Sequence, residues 1–360
     1  MGSPRAELVV VDYADLADES KDLSPLIKAA FGPGTTGVLG IRNVPGFVAA
    51  KQRTLSQGYQ LAHLDADTLK GLEDERSLFQ AGWSHGKEKL GDKPDFLKAS
   101  FYFNPLTDQP GTEEDRARFP VSFPCNVWPP KEAMPEFEGS CKEVGTIMFG
   151  VAGLVSKHID DFVAKQVPGY HPFLETAMKS TEKAKGRLLY YFPLPESAGG
   201  EPPKPDSWIG WHNDSGFLTC LAGDMYIDEA TGKQIECPDE NAGLYVVGRD
   251  GVDYKVKIPP DCMAVQMGEC VQVMSGGVVQ ATPHCVRGAS VPGVARVSLP
   301  VFVDTHPTYE LRVPDGRTRQ QVLDLPMPKV PALAKRWTED GQQFGAFLQK
   351  TFEEYYEFTK

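Results

Sequence analysis

Apolar residues in the first half of the chain recur mainly at helical intervals, between short segments that alternate as β-strands do. The Val-rich residues 7–13 predict a strand, residues 23–31 predict a helix, and residues 37–42 predict a second strand. The longest helical pattern covers residues 141–167, where apolar side chains recur at intervals of three, four and seven positions. We expect this helix to support a sheet.

Beyond residue 186 the apolar pattern changes to the period of two that is typical of β-strands. Turn residues separate short strands over about 120 residues, which indicates an antiparallel double-sheet barrel or jelly roll. Such a barrel has a mouth where inward-facing polar side chains converge. Residues 332–358 return to a helical pattern and predict a helix packed across the barrel or closing over its mouth. The predicted strands cover residues 187–192, 216–222, 243–247, 253–257, 263–267, 271–274, 280–286 and 295–303.

These patterns predict a mixed α and β fold with four regions. Residues 1–135 form an N-terminal α/β region with a long loop, and residues 136–186 form supporting helices. Residues 187–305 form the jelly-roll catalytic core, and residues 306–360 form a C-terminal extension with a helix.

An aromatic extended segment that precedes the long loop offers candidates for substrate contact. Phe101, Tyr102 and Asn104 belong to it, and the alternative is that they pack on the core. Phe302, on the last predicted strand of the core, is a further candidate. These four residues are therefore candidates for substrate contact, with packing on the core as the favoured interpretation of the segment.

Composition and charge narrow the class of partner. The chain has 360 residues, 41% of them hydrophobic, which is enough for a substantial core. Its 49 acidic and 37 basic side chains give a formal charge of -12, which opposes binding to nucleic acid or to anionic lipid. A small-molecule substrate fits better, and the oligomeric state stays open.

The cysteines and the N-terminus bear on the compartment. Seven cysteines are scattered along the chain without a C-x-x-C pair, which favours reduced thiols over a disulfide framework or a zinc knuckle. The N-terminal residues lack an apolar signal core, and no apolar run is long enough to cross a membrane. We therefore expect a cytoplasmic protein.

A candidate metal site begins with His212 and Asp214. In an extended strand alternate side chains share a face, so this imidazole and carboxylate should project together. His284 is the only other histidine between residues 187 and 303, and it lies on a predicted strand. Two histidines and one carboxylate form the facial triad that is associated with non-haem Fe(II) oxygenases.

Other motifs in the sequence are weaker candidates for a metal site or a cofactor site. His158 and Asp160 point in different directions on a helix, so a solvated helix face is the better interpretation. His306 lacks a following R-x-S strand. Residues 32–37 match G-x-G-x-x-G, but they follow a predicted helix and precede a strand, the reverse of the dinucleotide-binding order.

Arg296 and Ser298 follow His284 after a predicted turn, on one face of the next strand. Fe(II) with one aspartate leaves one positive charge, and a bound 2-oxoglutarate with Arg296 would bring the total to neutrality. A guanidinium can hold the distal carboxylate with two hydrogen bonds, and the hydroxyl of Ser298 adds a donor. A structural arginine on the barrel exterior is the alternative.

The order H-x-D, distal histidine and R-x-S resembles the 2-oxoglutarate and Fe(II)-dependent oxygenase superfamily, in particular its isopenicillin N synthase-like branch. Residues 243–251 and 260–277 resemble the G-L-x-V segment and the G-D-rich run of that branch, and residues 9–44 resemble its N-terminal region. Where members carry N-x-Y-P or R-Y-x-P, this chain has L-Y-Y-F-P. Tyr190 or Tyr191 would therefore face the cosubstrate or the substrate.

The resemblance implies a double-stranded β-helix core in which His212, Asp214 and His284 hold Fe(II), and Arg296 and Ser298 bind 2-oxoglutarate. It also implies consumption of O2 and conversion of 2-oxoglutarate to succinate and CO2, coupled to oxidation of an unactivated C–H bond. Hydroxylation, desaturation and ring closure all occur in this branch. The expected substrate is an amino-acid-derived or otherwise small specialised metabolite, and not a protein or a nucleic acid.

Two alternative functions and one structural question stay open at this point. An isopenicillin N synthase-type oxidase would not use 2-oxoglutarate, and its R-x-S residues would bind substrate or support the structure. A non-catalytic metal-binding barrel would keep the triad without turnover. The segment 221–241 is either an insertion beside the mouth or, as we prefer, an acidic surface loop.

Overall fold

The computed structural model describes residues 4–87, 89–90, 93–194, 208–248 and 250–358. The helices of this part of the chain are α1 (Tyr13–Ala17), α2 (Ser24–Phe31), α3 (Phe47–Leu55), α4 (Gly58–Ala62), α5 (Ala66–Gly71), α6 (Glu113–Arg118), α7 (Phe137–Gln166), α8 (Leu174–Ser180), α9 (Glu269–Met274), α10 (Arg319–Leu323), α11 (Leu333–Arg336) and α12 (Phe344–Phe358). The strands are β1 (Val9–Asp12), β2 (Val38–Arg42), β3 (Gly82–His85), β4 (Lys89–Leu90), β5 (Lys93–Pro94), β6 (Lys98–Phe103), β7 (Ala184–Tyr191), β8 (Ile209–His212), β9 (Leu218–Asp228), β10 (Lys233–Ile235), β11 (Gly243–Val247), β12 (Asp253–Lys255), β13 (Cys262–Met267), β14 (His284–Arg287), β15 (Val294–Val303), β16 (Glu310–Leu311) and β17 (Gln342–Gln343).

Two sheets pack face to face and form the barrel. The larger has the strand order β1-β2-β13-β9-β15-β7-β6-β3, with β10 beside β9, and the smaller has the order β12-β11-β14-β8. Apart from the parallel pair β1 and β2, neighbouring strands in both sheets are antiparallel. This arrangement confirms the predicted mixed α and β fold with a jelly-roll core. The N-terminal strands β1, β2, β3 and β6 belong to the larger sheet, so they extend the core.

Helix α7 covers the outer face of the larger sheet. It spans 30 residues and buries an apolar stripe that includes Val144, Met148, Val151 and Val155. These side chains join one cluster with residues of β9, β13 and β15. The predicted supporting helix is present, and it begins at Phe137, earlier than its pattern indicated.

The pair His158 and Asp160 on α7 is buried and has structural partners. Nε2 of His158 is hydrogen-bonded to the backbone carbonyl of Leu16 at 2.9 Å. The carboxylate of Asp160 accepts backbone N–H groups of α8, at 3.2 Å from Leu174 and 2.9 Å from Glu175. The pair is therefore not a metal site, but neither is it the solvated helix face that the sequence suggested.

The predicted strand 271–274 is wrong, because these residues lie in α9. The first N–H groups of α9 bond to carbonyls of the segment that carries the metal motif: Glu269 to Asp214 at 2.8 Å and Cys270 to Gly216 at 3.1 Å. Gly268 permits this approach, since a Cβ there would lie 2.1 Å from the carbonyl oxygen of Gly216. A short buried apolar run has no period that separates strand from helix.

The single helix predicted for residues 332–358 is also interrupted. Helix α11 ends at Arg336, β17 pairs with β16, and the chain re-enters a helix at α12. Gly341, in the connection, has a φ of +84°, which a residue with a side chain rarely adopts.

The segment 221–241 is not a simple acidic loop. Strand β9 continues to Asp228, and β10 pairs with it, Gln234 opposite Ile227. The side chain of Tyr226 is buried inside the barrel, in an apolar cluster that includes Tyr191 and Trp208.

All seven cysteines are free thiols. Within the described residues, no helix combines the length and the apolar character needed to cross a bilayer. The cytoplasmic location stays a prediction.

Candidate active site

Strands β8 and β14 bring the two histidines together. They are antiparallel neighbours, and His284 pairs with His212 in their register. Asp214 lies two residues beyond His212, past the end of β8, and not on the strand as the sequence pattern implied. The Nε2 atoms of His212 and His284 are 4.0 Å and 3.8 Å from Oδ1 of Asp214. One ligand atom from each residue lies within 4.8 Å of the others.

Backbone carbonyls determine which imidazole nitrogens face the centre. Nδ1 of His212 donates to the carbonyl of Gly210 at 2.9 Å, and Nδ1 of His284 donates to that of Thr282 at 3.1 Å. With the proton on Nδ1, each Nε2 carries a lone pair toward Asp214. Burial and, after it, the positive charge of the neighbouring His284 lower the pKa of His212 to about 4. His212 is therefore neutral at pH 7, which is the metal-binding form.

The donor set fits a divalent metal ion. Oδ2 of Asp214 is buried and has no hydrogen-bond partner among the described residues, an unfavourable state for a carboxylate unless a cation binds it. Two imidazole nitrogens and one carboxylate oxygen match the ligand preference of Fe(II), with coordination positions left for other molecules.

A buried network holds the turn between the ligands. The side-chain amide of Asn213 donates to Oε1 of Glu269 at 2.8 Å, and its backbone N–H donates to the hydroxyl of Tyr355 at 2.9 Å. Arg336 forms a two-bond salt bridge with Glu269, and neither side chain is exposed. The sequence gives no sign of this network, because its members come from three distant segments.

Arg296 lies inside the barrel, on the face of β15 that Ser298 shares. Its guanidinium carbon is 5.0 Å from the ring centre of Tyr191 and 6.0 Å from that of Trp208. Nε donates to Oδ2 of Asp224 at 3.0 Å. Nη1 is buried without a hydrogen-bond partner among the described residues, so one N–H edge of this cation has no acceptor.

The metal motif and Arg296 face the same interior. Val286 lies on the same face of β14 as His284, and it packs in one apolar cluster with Leu189 and Tyr191 of β7. Tyr191 is the register partner of Arg296. The two candidate sites therefore belong to one cavity between the sheets.

The two tyrosines of L-Y-Y-F-P point to opposite faces of β7. Tyr191 faces Arg296, whereas Tyr190 faces outward, where its hydroxyl donates to the carboxylate of Glu229. Tyr190 packs with the rings of Tyr59 and His63. Strand alternation places only Tyr191 inside the barrel.

Comparison with known proteins shows which family the residues of this site resemble. Residues 187–305 match the family model described as the 2OG-Fe(II) oxygenase superfamily. Those residues belong to that superfamily. Members use Fe(II), 2-oxoglutarate and O2, so the predicted enzyme class and cofactors are confirmed. The narrower placement in the isopenicillin N synthase-like branch stays a prediction.

Solved structures share the fold over nearly the whole chain. A 2OG-Fe(II) oxygenase family protein from Caulobacter crescentus has 20% sequence identity and a TM-score of 0.69, with 97% of this chain and 99% of that chain covered. A full-length Neurospora crassa protein in complex with alpha-KG and thymine has 15% identity and a TM-score of 0.63, with 97% of each chain covered. A rice dioxygenase for auxin oxidation has 18% identity and a TM-score of 0.59, covering 96% and 95%. A search of curated protein sequences gave no match.

The four candidate substrate residues separate into two pairs. Phe101 is fully buried on the outer face of β6, 5.0 Å from the ring centre of Phe137. Asn104 organises the following loop, because its side chain accepts from the backbone N–H of Leu106 and donates to the carbonyl of Glu182. Neither side chain faces the cavity.

Tyr102 and Phe302 lie on the inner face. Tyr102 pairs with Arg187, and Phe302 pairs with Lys185, on either side of β7. Neither basic residue was among the candidate site residues predicted from the sequence. Their signal was visible as an alternation of basic side chains, Lys183, Lys185 and Arg187, ahead of the apolar half of β7.

Proposed function

We propose that this protein oxidises a C–H bond of a small organic molecule in a reaction that consumes 2-oxoglutarate and O2 and releases succinate and CO2. One observation carries the proposal: two imidazoles and a carboxylate oxygen converge in the barrel interior that also holds Nη1 of Arg296, and neither Oδ2 of Asp214 nor this Nη1 has a hydrogen-bond partner among the described residues. A metal site together with a buried cation suits a chelating dicarboxylate better than a structural metal alone.

Different residues of the chain would bind the metal ion and the cosubstrate. Nε2 of His212, Nε2 of His284 and the carboxylate of Asp214 would hold Fe(II). Nη1 of Arg296, with the hydroxyl of Ser298 as a second donor, would bind the distal carboxylate of 2-oxoglutarate. When bound, Fe(II), 2-oxoglutarate and O2 supply the oxidising chemistry, and the protein supplies binding, orientation and exclusion of water.

A small molecule is the favoured substrate class. The Neurospora protein binds thymine, and the rice enzyme is named for auxin oxidation, so small organic compounds are acted on or bound by proteins of this fold. The formal charge of -12 opposes a nucleic-acid substrate. Specialised metabolism and a cytoplasmic location are part of the proposal.

His212→Ala and Asp214→Ala test the iron assignment. Each variant should lose Fe(II) binding and O2-dependent formation of succinate, because two remaining ligands hold Fe(II) weakly, while circular dichroism should stay close to that of the parent. His171→Ala, at an exposed histidine away from the site, is the matched control and should retain both properties. Normal succinate formation in either ligand variant would reject the assignment.

The same assay separates the rival functions. O2 consumption that continues without 2-oxoglutarate would favour an isopenicillin N synthase-type oxidase. Metal binding with no O2 consumption at all would favour a non-catalytic barrel. Mass spectrometry of the product then distinguishes hydroxylation, a gain of one oxygen atom, from desaturation or ring closure, a loss of two hydrogen atoms.

A further inference from the structure

Residues 213–217, which we call the ligand turn, follow β8 and contain the carboxylate of the proposed metal site. The carbonyls of Asp214 and Gly216 accept N–H groups from the start of α9. At the far end of the turn, the N–H of Phe217 donates to Oδ1 of Asp304, just beyond β15, at 3.0 Å. Neighbouring elements of the core therefore hold this side of the ligand turn.

The first N–H of the ligand turn has a partner from a distant element. It belongs to Asn213, and it donates to the hydroxyl of Tyr355 on α12 at 2.9 Å, across 142 positions of sequence. This N–H is part of the peptide unit that joins His212 to Asn213. A peptide unit is planar, so its orientation sets the direction in which the chain continues from His212 to Asp214.

Packing of α12 brings the tyrosine to this position. Phe344, Phe347 and Thr351 are buried, and Tyr355 continues the same face of the helix at a spacing of four residues. The ring centre of Tyr355 lies 5.7 Å from the guanidinium carbon of Arg336. The ring is therefore placed by packing, and its hydroxyl is the part that reaches the ligand turn.

The three proposed ligands differ in what fixes their direction. His212 and His284 are register partners in β8 and β14, so the smaller sheet holds them. Asp214 lies past the end of β8, and its direction depends on the ligand turn. Groups that orient metal ligands contribute to metal affinity even though they do not touch the ion. The contact at the start of the turn thus bears on the third ligand.

We propose that Tyr355 is a positioning residue for the metal site: its hydroxyl holds the peptide between His212 and Asn213 and so directs the carboxylate of Asp214 toward the two histidines. The proposal rests on the proposed function, because it concerns the Fe(II) site of the same cavity. Helix α12 then belongs to the metal site although it supplies none of the three ligands.

Tyr355→Phe tests the proposal, because it keeps the packed ring and removes only the hydroxyl. Its affinity for Fe(II) alone, measured anaerobically by calorimetry, should be about tenfold weaker than that of the parent. The visible absorption of bound Co(II), which depends on the arrangement of the ligands, should also differ from that of the parent. Both are measured where circular dichroism shows a fully folded protein.

Tyr170→Phe is the matched control. Tyr170 is also buried, and its hydroxyl donates to the carboxylate of Asp160 on α7, which covers the outer face of the larger sheet. Loss of this hydroxyl should lower the free energy of unfolding and leave the Fe(II) affinity and the Co(II) spectrum unchanged. The comparison separates an effect on the metal site from an effect on stability.

Hydrogen exchange of the metal-free proteins measures the contact itself. Peptides that cover residues 208–217 should take up deuterium faster in Tyr355→Phe than in the parent, because the N–H of Asn213 has lost its acceptor. Unchanged exchange, an unchanged Fe(II) affinity, or equal losses of affinity in both tyrosine variants would overturn the proposal. Failure of the proposed function is distinct, since the parent itself would then bind no Fe(II) or form no succinate.

Discussion

At the scale of single residues, the guanidinium of Arg296 has two different environments. Nε is held by Asp224, whose side chain is 35% exposed, and Nη1 lies buried without a partner among the described residues. The charge count made from the sequence omitted Asp224, so it overestimated how far Arg296 alone balances a dicarboxylate. Asp224 orients the guanidinium, and Nη1 is the group available for a ligand.

Arg296→Ala should weaken 2-oxoglutarate binding about 10- to 100-fold, because a hydrogen bond to a charged group contributes about 1.5–3 kcal/mol. Fe(II) affinity should change little. Calorimetric titration of each ligand measures both effects. Arg53→Ala, at an exposed arginine paired with Glu143, should leave both affinities unchanged. Equal losses of Fe(II) and 2-oxoglutarate affinity would indicate a structural role for Arg296.

At the scale of elements, α9 and α11 are joined by one buried ion pair beneath the metal motif. Glu269 contacts Asn213 on one side and Arg336 on the other. A buried pair of this kind is strongly destabilising to break, because the remaining charge is left without a partner. The motif therefore depends on an element about 120 residues away, at the end of α11.

Arg336→Met should lower the free energy of unfolding by about 3–5 kcal/mol, since the carboxylate of Glu269 is left unpaired. Combining it with Glu269→Gln should recover part of this loss, because the amide oxygen can still accept from Asn213 and no charge remains. Urea denaturation of the single and double variants measures both. A loss below about 1 kcal/mol for Arg336→Met would contradict the buried-pair argument.

At the scale of the whole molecule, the larger sheet crosses the boundaries of the predicted regions. Strand β13 pairs with β2 on one side, and β7 pairs with β6 on the other. Helix α7 covers the outer face of the same sheet. The residues that match the family model thus have N-terminal strands at both edges of the larger sheet.

A fragment of residues 187–305 should not fold by itself. It would expose the edges of β13 and β7, together with the apolar face that α7 covers, and such edges favour aggregation. The full chain should unfold in one cooperative transition by circular dichroism and calorimetry. A soluble fragment with near-UV circular dichroism and sharp amide resonances would contradict this expectation.

Local patterns determined a large part of this protein. Strand alternation and helical spacing were sufficient for the long helix, most core strands and the mixed α and β class, because each pattern reports burial of one face. The triad His212, Asp214 and His284 could be proposed because few histidines occur among the strands. The distances between these three side chains could not be predicted from the sequence, because Asp214 lies past the end of β8.

Tertiary structure decided which faces meet. Residues 271–274 are helical, and the first N–H groups of their helix bond to the carbonyls of Asp214 and Gly216. The side chains of Tyr190 and Asn104 make structural hydrogen bonds and do not face the barrel interior. The contact of Asp224 with Arg296 and the place of Lys185 on the inner face became visible only when β7, β9 and β15 were side by side. Local spacing carries no information about such pairings, because they depend on strands far apart in the chain.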